Sequence, residues 1–372
     1  MKKLLCVTSL MSTALCAHAQ SSVTLYGIMN TGVMYVHNSS GASTQFTTTS
    51  FSSRWGLKGA EDLSADLKAV FQLENGFAAT TGALGNGGRE FGRRALVGFS
   101  SKTFGTVTLG RQVDPLVDLV LPLQGNSLIG IYTSPGDVDN ADNSARFSNT
   151  IKWISPNWSG LTAAAMYGVG GVAGSISNGQ TYAAVLAYNS GPGGLAAGYT
   201  HIDNGTASLR GTTSSTSSSD SLFLSDVNRA YVSARAIDIV RVAGAYQIGA
   251  FTAGGYVSYS DYKPDGSSTF KVSEKYKVAG PYVAWQLSPA LSTQLGYVYM
   301  KSSGASSATY NQFAVQADYF LSKRTDVYAF AGYTHASGSN GLGAADAVVG
   351  SLDRNSGKSS QAVVNVSIRH KF

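Results

Sequence analysis

An alternation of apolar and polar residues with a period of two runs through this chain and constrains its fold more than any other feature. In VTLYGIMNTGVMY (23–35), apolar positions such as Val23 and Leu25 are separated by single polar or small residues. The segments 239–248 and 291–300 repeat the pattern. Because successive side chains of a β-strand point to opposite faces, this period predicts strands whose two faces meet different environments.

Short turns and long polar segments alternate between the predicted strands. Short turns are expected at 101–105, 155–160, 190–194, 288–290 and 322–326. Long loops are expected around 38–50, 80–90, 112–147, 170–179, 203–235, 263–275, 302–310 and 336–358. This spacing predicts about 16 strands in an all-β domain, with no helical linker and no second domain.

The first residues predict that the protein is exported. A basic start, an apolar stretch and an A-x-A triplet ending at Ala19 form the pattern of a secretory signal peptide. We therefore expect a signal peptide at 1–19 and a mature domain at 20–372. Both cysteines of the chain, Cys6 and Cys16, lie in the expected signal, so the mature domain has no disulfide to stabilise it.

The chain carries no stretch that could cross a membrane as a helix. After the signal, nothing approaches the ~18 uninterrupted apolar residues that a spanning helix needs. The most apolar segment, 116–124, is interrupted by Asp118 and Pro122. An exported chain of this kind can cross a bilayer only as a closed barrel, because every backbone N–H and C=O must find a partner within the hydrocarbon.

A barrel of about 16 strands would enclose a water-filled channel, since it is too wide for side chains to fill. The polar strand faces, rich in Ser, Thr, Asn and Gln, agree with a wet interior. A large soluble β-sandwich is the structural alternative. It would bury the apolar faces against each other, but no second apolar set accounts for so many strands.

Two loops differ from the others. The segment 205–221 is rich in Ser and Thr and is expected to be a flexible surface loop. The segment 112–147 combines a short apolar, helix-like piece with an acidic tail, SPGDVDNADNSAR. A loop of this length is usually functional or disordered.

Signatures of enzymes are weak in this sequence. GVGGVA (168–173) matches a nucleotide-binding pattern but is followed by another strand instead of a phosphate-capping helix, and SGKSS (356–360) lacks the first glycine of a phosphate loop. The histidines of the mature chain are scattered. We therefore predict no catalytic residue, no metal site, no cofactor and no enzyme activity.

Basic residues are notable for their placement, since 27 Lys and Arg against 21 Asp and Glu make only a mildly basic chain. The candidates are Arg54, Arg93, Arg94, Arg146 and Lys152. They could be solvated surface charges, but on the lumen faces of neighbouring barrel strands they would form a positive wall. Arg93 and Arg94 cannot both point inward from a regular strand; Arg93 is favoured, and both are kept.

Four segments carry a resemblance to a known family: SSVTLYGIMNTGV, SRWGLKGAEDL, FGTVTLGRQ and the terminal SIRHKF. In this order and spacing, from about Ser21 to Phe372, the chain resembles the general porins of Gram-negative outer membranes, of the β-proteobacterial and neisserial type. The resemblance implies a 16-stranded antiparallel barrel with short periplasmic turns, long extracellular loops and a homotrimeric assembly. The third loop, 112–147, would fold into the pore.

The resemblance also implies how the pore is lined. The basic residues named above would face acidic residues of the third loop, here Asp137, Asp139 and Asp142. Relatives often carry a charge on the lumen face of the first strand, where this chain has Asn30. The implied function is passive diffusion of ions and small hydrophilic solutes through the outer membrane, with a mild preference for anions.

Other functions remain open from the sequence. A substrate-selective porin for phosphate or organic anions is the nearest alternative, and a barrel adhesin or enzyme is the more distant one. The expected partners are identical subunits, membrane lipid and the machinery that assembles barrels. Nucleic acid is not expected among them.

The chain ends in VVNVSIRHKF, which the period-two pattern predicts to be the strand that closes the barrel. Val364, Val366 and Ile368 would face lipid, and Arg369 and Lys371 would point into the channel mouth. By resemblance, Phe372 is the C-terminal signal that the assembly machinery recognises.

Overall fold

The computed structural model describes residues 22–125, 130–204 and 222–372, which form a single antiparallel sheet of 17 strand segments. The predicted signal peptide and the segment 205–221 lie outside the described residues. The strands are β1 (Ser22–Ser39), β2 (Ala42–Thr49), β3 (Arg54–Asp62), β4 (Leu67–Gly76), β5 (Arg94–Ser101), β6 (Gly105–Gln112), β7 (Phe147–Ile154), β8 (Leu161–Gly168), β9 (Thr181–Ser190), β10 (Gly193–Asp203), β11 (Ala236–Ile248), β12 (Phe251–Lys263), β13 (Glu274–Ser288), β14 (Leu291–Ser303), β15 (Ser307–Phe320), β16 (Thr325–Ser339) and β17 (Ser360–Lys371).

The sheet closes on itself. β1 pairs with β17, from Ile28 opposite Lys371 to His37 opposite Ala362. One half of β1 pairs with β2 and the other half with β3, so these two segments are a single barrel strand interrupted at 50–53. The result is a closed barrel of 16 antiparallel strands, which confirms the predicted fold class and leaves no unpaired sheet edge along the closure.

The loop predictions were less accurate than the strand count. The expected loop at 38–50 is largely the hairpin between β1 and β2, and the expected loop at 302–310 shrinks to a turn between Ser303 and Ser307. The strand β2 reads ASTQFTTT, with polar residues on both faces. A strand of this kind has no apolar-polar period, and its threonines provide β-propensity without a recognisable pattern.

The two faces of the barrel differ as the alternation predicts. On β17, Val364, Val366 and Ile368 are 50%, 49% and 48% exposed, whereas the alternate residues Asn365 and Arg369 are buried on the inner side. Apolar side chains exposed in rows on the outside of a closed sheet are the pattern of a lipid-facing surface. Within the described residues, no helix is both long and apolar enough to cross a membrane.

The chain end is part of the wall. The backbone N–H of Phe372 donates to the carbonyl of Gly27 at 3.1 Å, and that of Gly27 donates back at 3.0 Å. A Cβ atom at Gly27 would lie 2.3 Å from Cζ of Phe372, so the terminal ring covers a position where only glycine fits. His370, on the outer face, hydrogen-bonds with Thr325 at 2.8 Å.

The third long loop spans 113–146, and its described residues, 113–125 and 130–146, lie inside the barrel. Its α-helix α1 (Pro115–Leu119) is capped by Asp114, whose side chain accepts from the N–H of Val117. The hydroxyl of Tyr132 donates to the carbonyl of Gln294 on β14 at 2.9 Å, and Tyr262 of β12 donates to the carbonyl of Val138 at 2.7 Å. Apolar residues of the loop, among them Leu116, Val120 and Val138, are buried against inward-facing residues of the strands β8 to β15. The loop therefore divides the lumen.

Candidate functional site

A cavity of about 260 Å³ lies between the third loop and the strands β3 to β5, and four arginines border it. Arg54 begins β3, Arg94 begins β5, and Arg146 directly precedes β7. The cavity is lined by Arg54, Gln72, Glu74, Arg93, Arg94, Val113, Asn143 and Arg146. The structure therefore brings four of the five candidate basic residues together in one place.

Arg93 and Arg94 both reach this cavity, although they are consecutive. β5 begins only at Arg94, so the strict alternation of a strand does not include Arg93. Arg93 donates through Nε to Oε1 of Glu74 at 2.7 Å, and Nη2 of Arg94 lies 3.7 Å from Oδ1 of Asp118. The two side chains thus diverge toward different carboxylates on the same side of the wall.

Glu74 is an acid within the basic wall that was not predicted from the sequence. Its carboxylate lies 3.9 Å from Nε of Arg54 and accepts from the hydroxyl of Tyr26 at 2.9 Å, in addition to its bond from Arg93. Gln72 donates to the same Tyr26 hydroxyl. Extending the period-two pattern along β4 would have placed Gln72 and Glu74 on the lumen face.

Lys152 lies one strand step further and is buried. Its ammonium donates to Asp118 at 2.6 Å and to the carbonyl of Val113 at 3.0 Å. Asp118 belongs to α1, so it is this residue that joins the third loop to the wall through ion pairs with both Lys152 and Arg94. In the sequence, Asp118 was notable only for interrupting an apolar segment.

The three predicted loop acids occupy different environments. Asp137 and Asp139 are buried inside the loop packing, where Asp137 accepts from the backbone N–H of Asp142 and Ser144, and Asp139 accepts from Ser134 and Ser258. Their carboxylates therefore hold the loop together instead of lining the cavity with the arginines.

Asp142, the third loop acid, combines withdrawal of its carboxyl group from water with positive charges nearby. Burial raises its pKa to about 7, while its hydrogen bond from Ser351 and the positive charges of Arg146 and Arg93 act in the opposite direction. Burial, with the neighbouring Asp142 and Asp139, also raises the pKa of Asp137 to about 7. Of the three loop acids, Asp142 is therefore the one whose carboxyl group interacts with Arg93 and Arg146 of the basic wall.

The arrangement concentrates positive charge on one side of the lumen. Arg54, Arg93, Arg94 and Lys152 share the two carboxylates of Glu74 and Asp118, and Arg146 adds a further positive charge on the same side. An excess of fixed positive charge in a water-filled passage raises the local concentration of anions and lowers that of cations.

A closed 16-stranded barrel with an apolar outer surface, a loop folded inward and a charged passage defines a pore-forming barrel of an outer membrane. The family model described as Gram-negative porin matches residues 6–339. The chain belongs to this family, whose members are channels, and its location is the outer membrane. Both agree with the resemblance in the sequence.

Individual relatives support the same assignment. An outer membrane porin of Bordetella pertussis is 34% identical over 191 residues, which cover 45% of this chain and 47% of the relative. Outer membrane porin protein 32 of Delftia acidovorans is 34% identical over 52% of this chain and 57% of its own length. The matched region thus spans about half of these two relatives, whereas the major outer membrane protein P.IB of Neisseria gonorrhoeae aligns over both full lengths at 28% identity.

Solved structures share the fold. The anion-selective porin from Comamonas acidovorans superimposes with a TM-score of 0.75 over 95% of this chain and 100% of its own, at 22% identity. OmpT of Vibrio cholerae, in a trimer form, gives a TM-score of 0.67 at 14% identity. At these identities the likeness concerns the barrel architecture alone.

Proposed function

We propose that the protein is a passive diffusion channel for ions and small hydrophilic solutes, and that Arg54, Arg93, Arg94 and Arg146 form the basic wall of its constriction. The observation that carries the proposal is the cavity at which these four side chains meet beneath the third loop. Transport needs no covalent step and no cofactor, because solutes move down their own gradients through water.

Anions are the preferred ions of this channel. The arginines outnumber the carboxylates at the cavity, since Glu74 is the one acid on its border and Asp137 and Asp139 are buried within the loop. A positive wall of this kind biases entry without blocking cations, because the passage remains hydrated. The preference is therefore mild.

The direct test is the reversal potential of the purified protein in a planar bilayer with potassium chloride at two concentrations. We expect a potential whose sign shows that chloride permeates more easily than potassium, and whose size falls as ionic strength rises, because salt screens the fixed charges. A reversal potential showing clear cation selectivity would contradict the assignment of the wall. An electrically silent, correctly inserted barrel would contradict the channel itself.

The assembly of the channel is part of the proposal. A homotrimer fits the family, and the apolar outer face fits contact with membrane lipid and with neighbouring subunits. The terminal Phe372 would be the residue that the assembly machinery recognises. Chemical cross-linking of the protein in native outer membranes tests the trimer: a ladder that ends at three subunits supports it, and a monomer band alone opposes it.

A porin specialised for one class of anion is the second candidate. It is favoured by the apolar residues that line the lumen wall next to the arginines. An adhesin would place its function in the outer loops, chiefly 205–221, and a cell-binding assay after deletion of that loop separates it from a channel.

A further inference from the structure

A second cavity, of about 400 Å³, lies along the lumen wall beside the arginines. Inward-facing residues of β1 and of β3 to β7 line it, together with Asp118 of α1. Its volume falls in the range of sites for small organic molecules. The cavity shares Gln72 and Arg94 with the arginine cavity, so a solute that leaves the constriction passes along it.

The wall of this cavity is unusually apolar for the inside of a porin. Ala60, Val70, Leu96 and Ile154 all line it and are only partly buried, so their methyl groups meet the water of the lumen. Ala60 and Val70 are direct partners across β3 and β4, and Val70 is diagonal to Leu96 across β4 and β5. Lumen faces of such barrels are ordinarily polar, so the apolar strip formed by Ala60, Val70 and Leu96 is suited to a ligand with an apolar surface.

Cationic groups border the same strip. Arg94 and Lys152 are both engaged with Asp118. Lys58 is different, because it is exposed and, within the part of the chain that the structure describes, forms no ion pair with a carboxylate. Its ammonium lies 5.3 Å from the centre of the Tyr26 ring, which positions it at the edge of the strip.

We propose that this cavity binds small organic monoanions that carry an apolar body, such as aromatic or branched carboxylates. The carboxylate would face Lys58 and the edge of the arginine cluster, and the ring or branched chain would lie on Val70 and Leu96. The inference rests on the proposed channel function and makes it more specific: chloride passes freely, whereas these anions pause at the strip.

The test uses single channels in a planar bilayer at fixed chloride, with benzoate as the probe. We expect benzoate at millimolar concentration to interrupt the chloride current in a concentration-dependent way. Acetate, which has the same charge and no ring, should not do so. Benzyl alcohol, which has the ring and no charge, should not do so either, and it also reports any effect of the ring on the lipid.

Two variants test the two parts of the site. The Val70→Thr/Leu96→Thr protein makes the wall polar with side chains that are isosteric with valine and smaller than leucine, and we expect the benzoate concentration for half-block to rise by about fivefold, in line with the loss of small apolar contacts in a pocket. Lys58→Gln should have a similar effect. Leu352→Thr is the control, since Leu352 is a partly buried leucine in the loop between β16 and β17, outside the lining of this cavity, and it should leave the block unchanged.

The outcomes separate the inference from the channel function. Normal chloride current without benzoate block, or block unchanged in the Val70→Thr/Leu96→Thr protein, overturns the site and leaves the channel intact. Absence of chloride current in the unaltered protein overturns the channel and the inference with it. Each variant must first show the chloride conductance of the unaltered protein; if the double variant does not, Leu96→Thr alone decides by the same criterion.

Discussion

Glu74 shows how one residue can organise a charged wall. Without it, Arg54 and Arg93 would repel each other at the same side of the lumen, and with it both guanidinium groups bind one carboxylate. The carboxylate is held from its other side by Tyr26. The wall therefore remains positive overall while its side chains are fixed in position.

The arginines can be tested by neutralisation in pairs. We expect Arg54→Gln/Arg146→Gln to lower the ratio of anion to cation permeability while the barrel still assembles. A unit charge about 5 Å from a passing ion contributes about 0.8 kcal/mol in water before screening, so the loss of two should reduce the ratio by at least about threefold in dilute salt. Reversal potentials of the purified variant measure the ratio.

A matched control carries the same change of net charge far from the cavity. Lys102 and Arg324 lie in short turns at the opposite ends of strands, and Lys102→Gln/Arg324→Gln should leave the ratio near that of the unaltered protein. Equal effects of the two pairs would mean that overall charge, and not the wall, sets the selectivity.

At the scale of elements, the third loop is fixed by hydrogen bonds to the last long loop, which spans 340–359 between β16 and β17. The N–H of Gly136 donates to the carbonyl of Gly350 at 2.8 Å, and that of Ser351 donates to Gly130 at 3.1 Å. The hydroxyl of Ser351 also donates to the carboxylate of Asp142. These contacts hold the loop across the lumen from a second direction, independent of the ion pairs of Asp118.

The contact between the third loop and the last long loop should depend on pH. Burial raises the pKa of Asp137, Asp142 and Asp353 to about 7, with the charge of a neighbouring carboxylate adding to it in each case. Because each pKa lies above its ordinary value, the protonated carboxyl groups stabilise the contact between the two loops. This stabilisation is fully present below the ordinary pKa of a carboxyl group and is lost as the pH rises through about 7. Asp139, Arg93 and Arg146 are the other charged groups that act on the cluster.

Hydrogen exchange of the backbone amides in 130–146 measures this dependence. After correction for the intrinsic effect of pH, we expect faster exchange at pH 8 than at pH 6. The difference should shrink in Asp142→Asn, which cannot ionise, and persist in Asp66→Asn, at a turn between β3 and β4. Identical protection at both pH values would show that the carboxyl groups do not control the contact.

The elements that the sequence predicted well are those with two distinct faces. The long strands of the second half alternate strictly because lipid lies on one side and water on the other. β2, which is polar on both faces, was expected to be a loop. The contacts of the acidic loop residues were harder to predict than the strands. The separation of Asp118 and Lys152 in the sequence does not reveal that they form an ion pair, because that contact depends on how the loop turns inside the barrel.

At the scale of the whole molecule, the closure of the barrel extends to Phe372. Phe372 completes the pairing of β17 with β1 and covers Gly27. We expect deletion of Phe372 to reduce the amount of folded protein in the outer membrane much more than it changes the conductance of the channels that do form. Heat-modifiable mobility on gels measures the first quantity, and single-channel recording measures the second.

A conservative change is the control for this deletion. Phe372→Tyr keeps an aromatic ring at the terminus and should assemble almost normally. If the deletion and Phe372→Tyr assembled equally well, the terminal ring would have no role as a signal.

The seam between the first and last strands has a consequence for synthesis. Asn38 donates to the carbonyl of Ser360, 322 positions away in the chain, and next to this bond the pairing of β1 with β17 runs from His37 opposite Ala362 to Ile28 opposite Lys371. A nascent polypeptide therefore cannot close its barrel while it is being made or exported. Until β17 is present the sheet has two open edges, and contacts this distant in sequence form slowly. A product truncated before β17 retains those edges and stays exposed to aggregation and proteolysis.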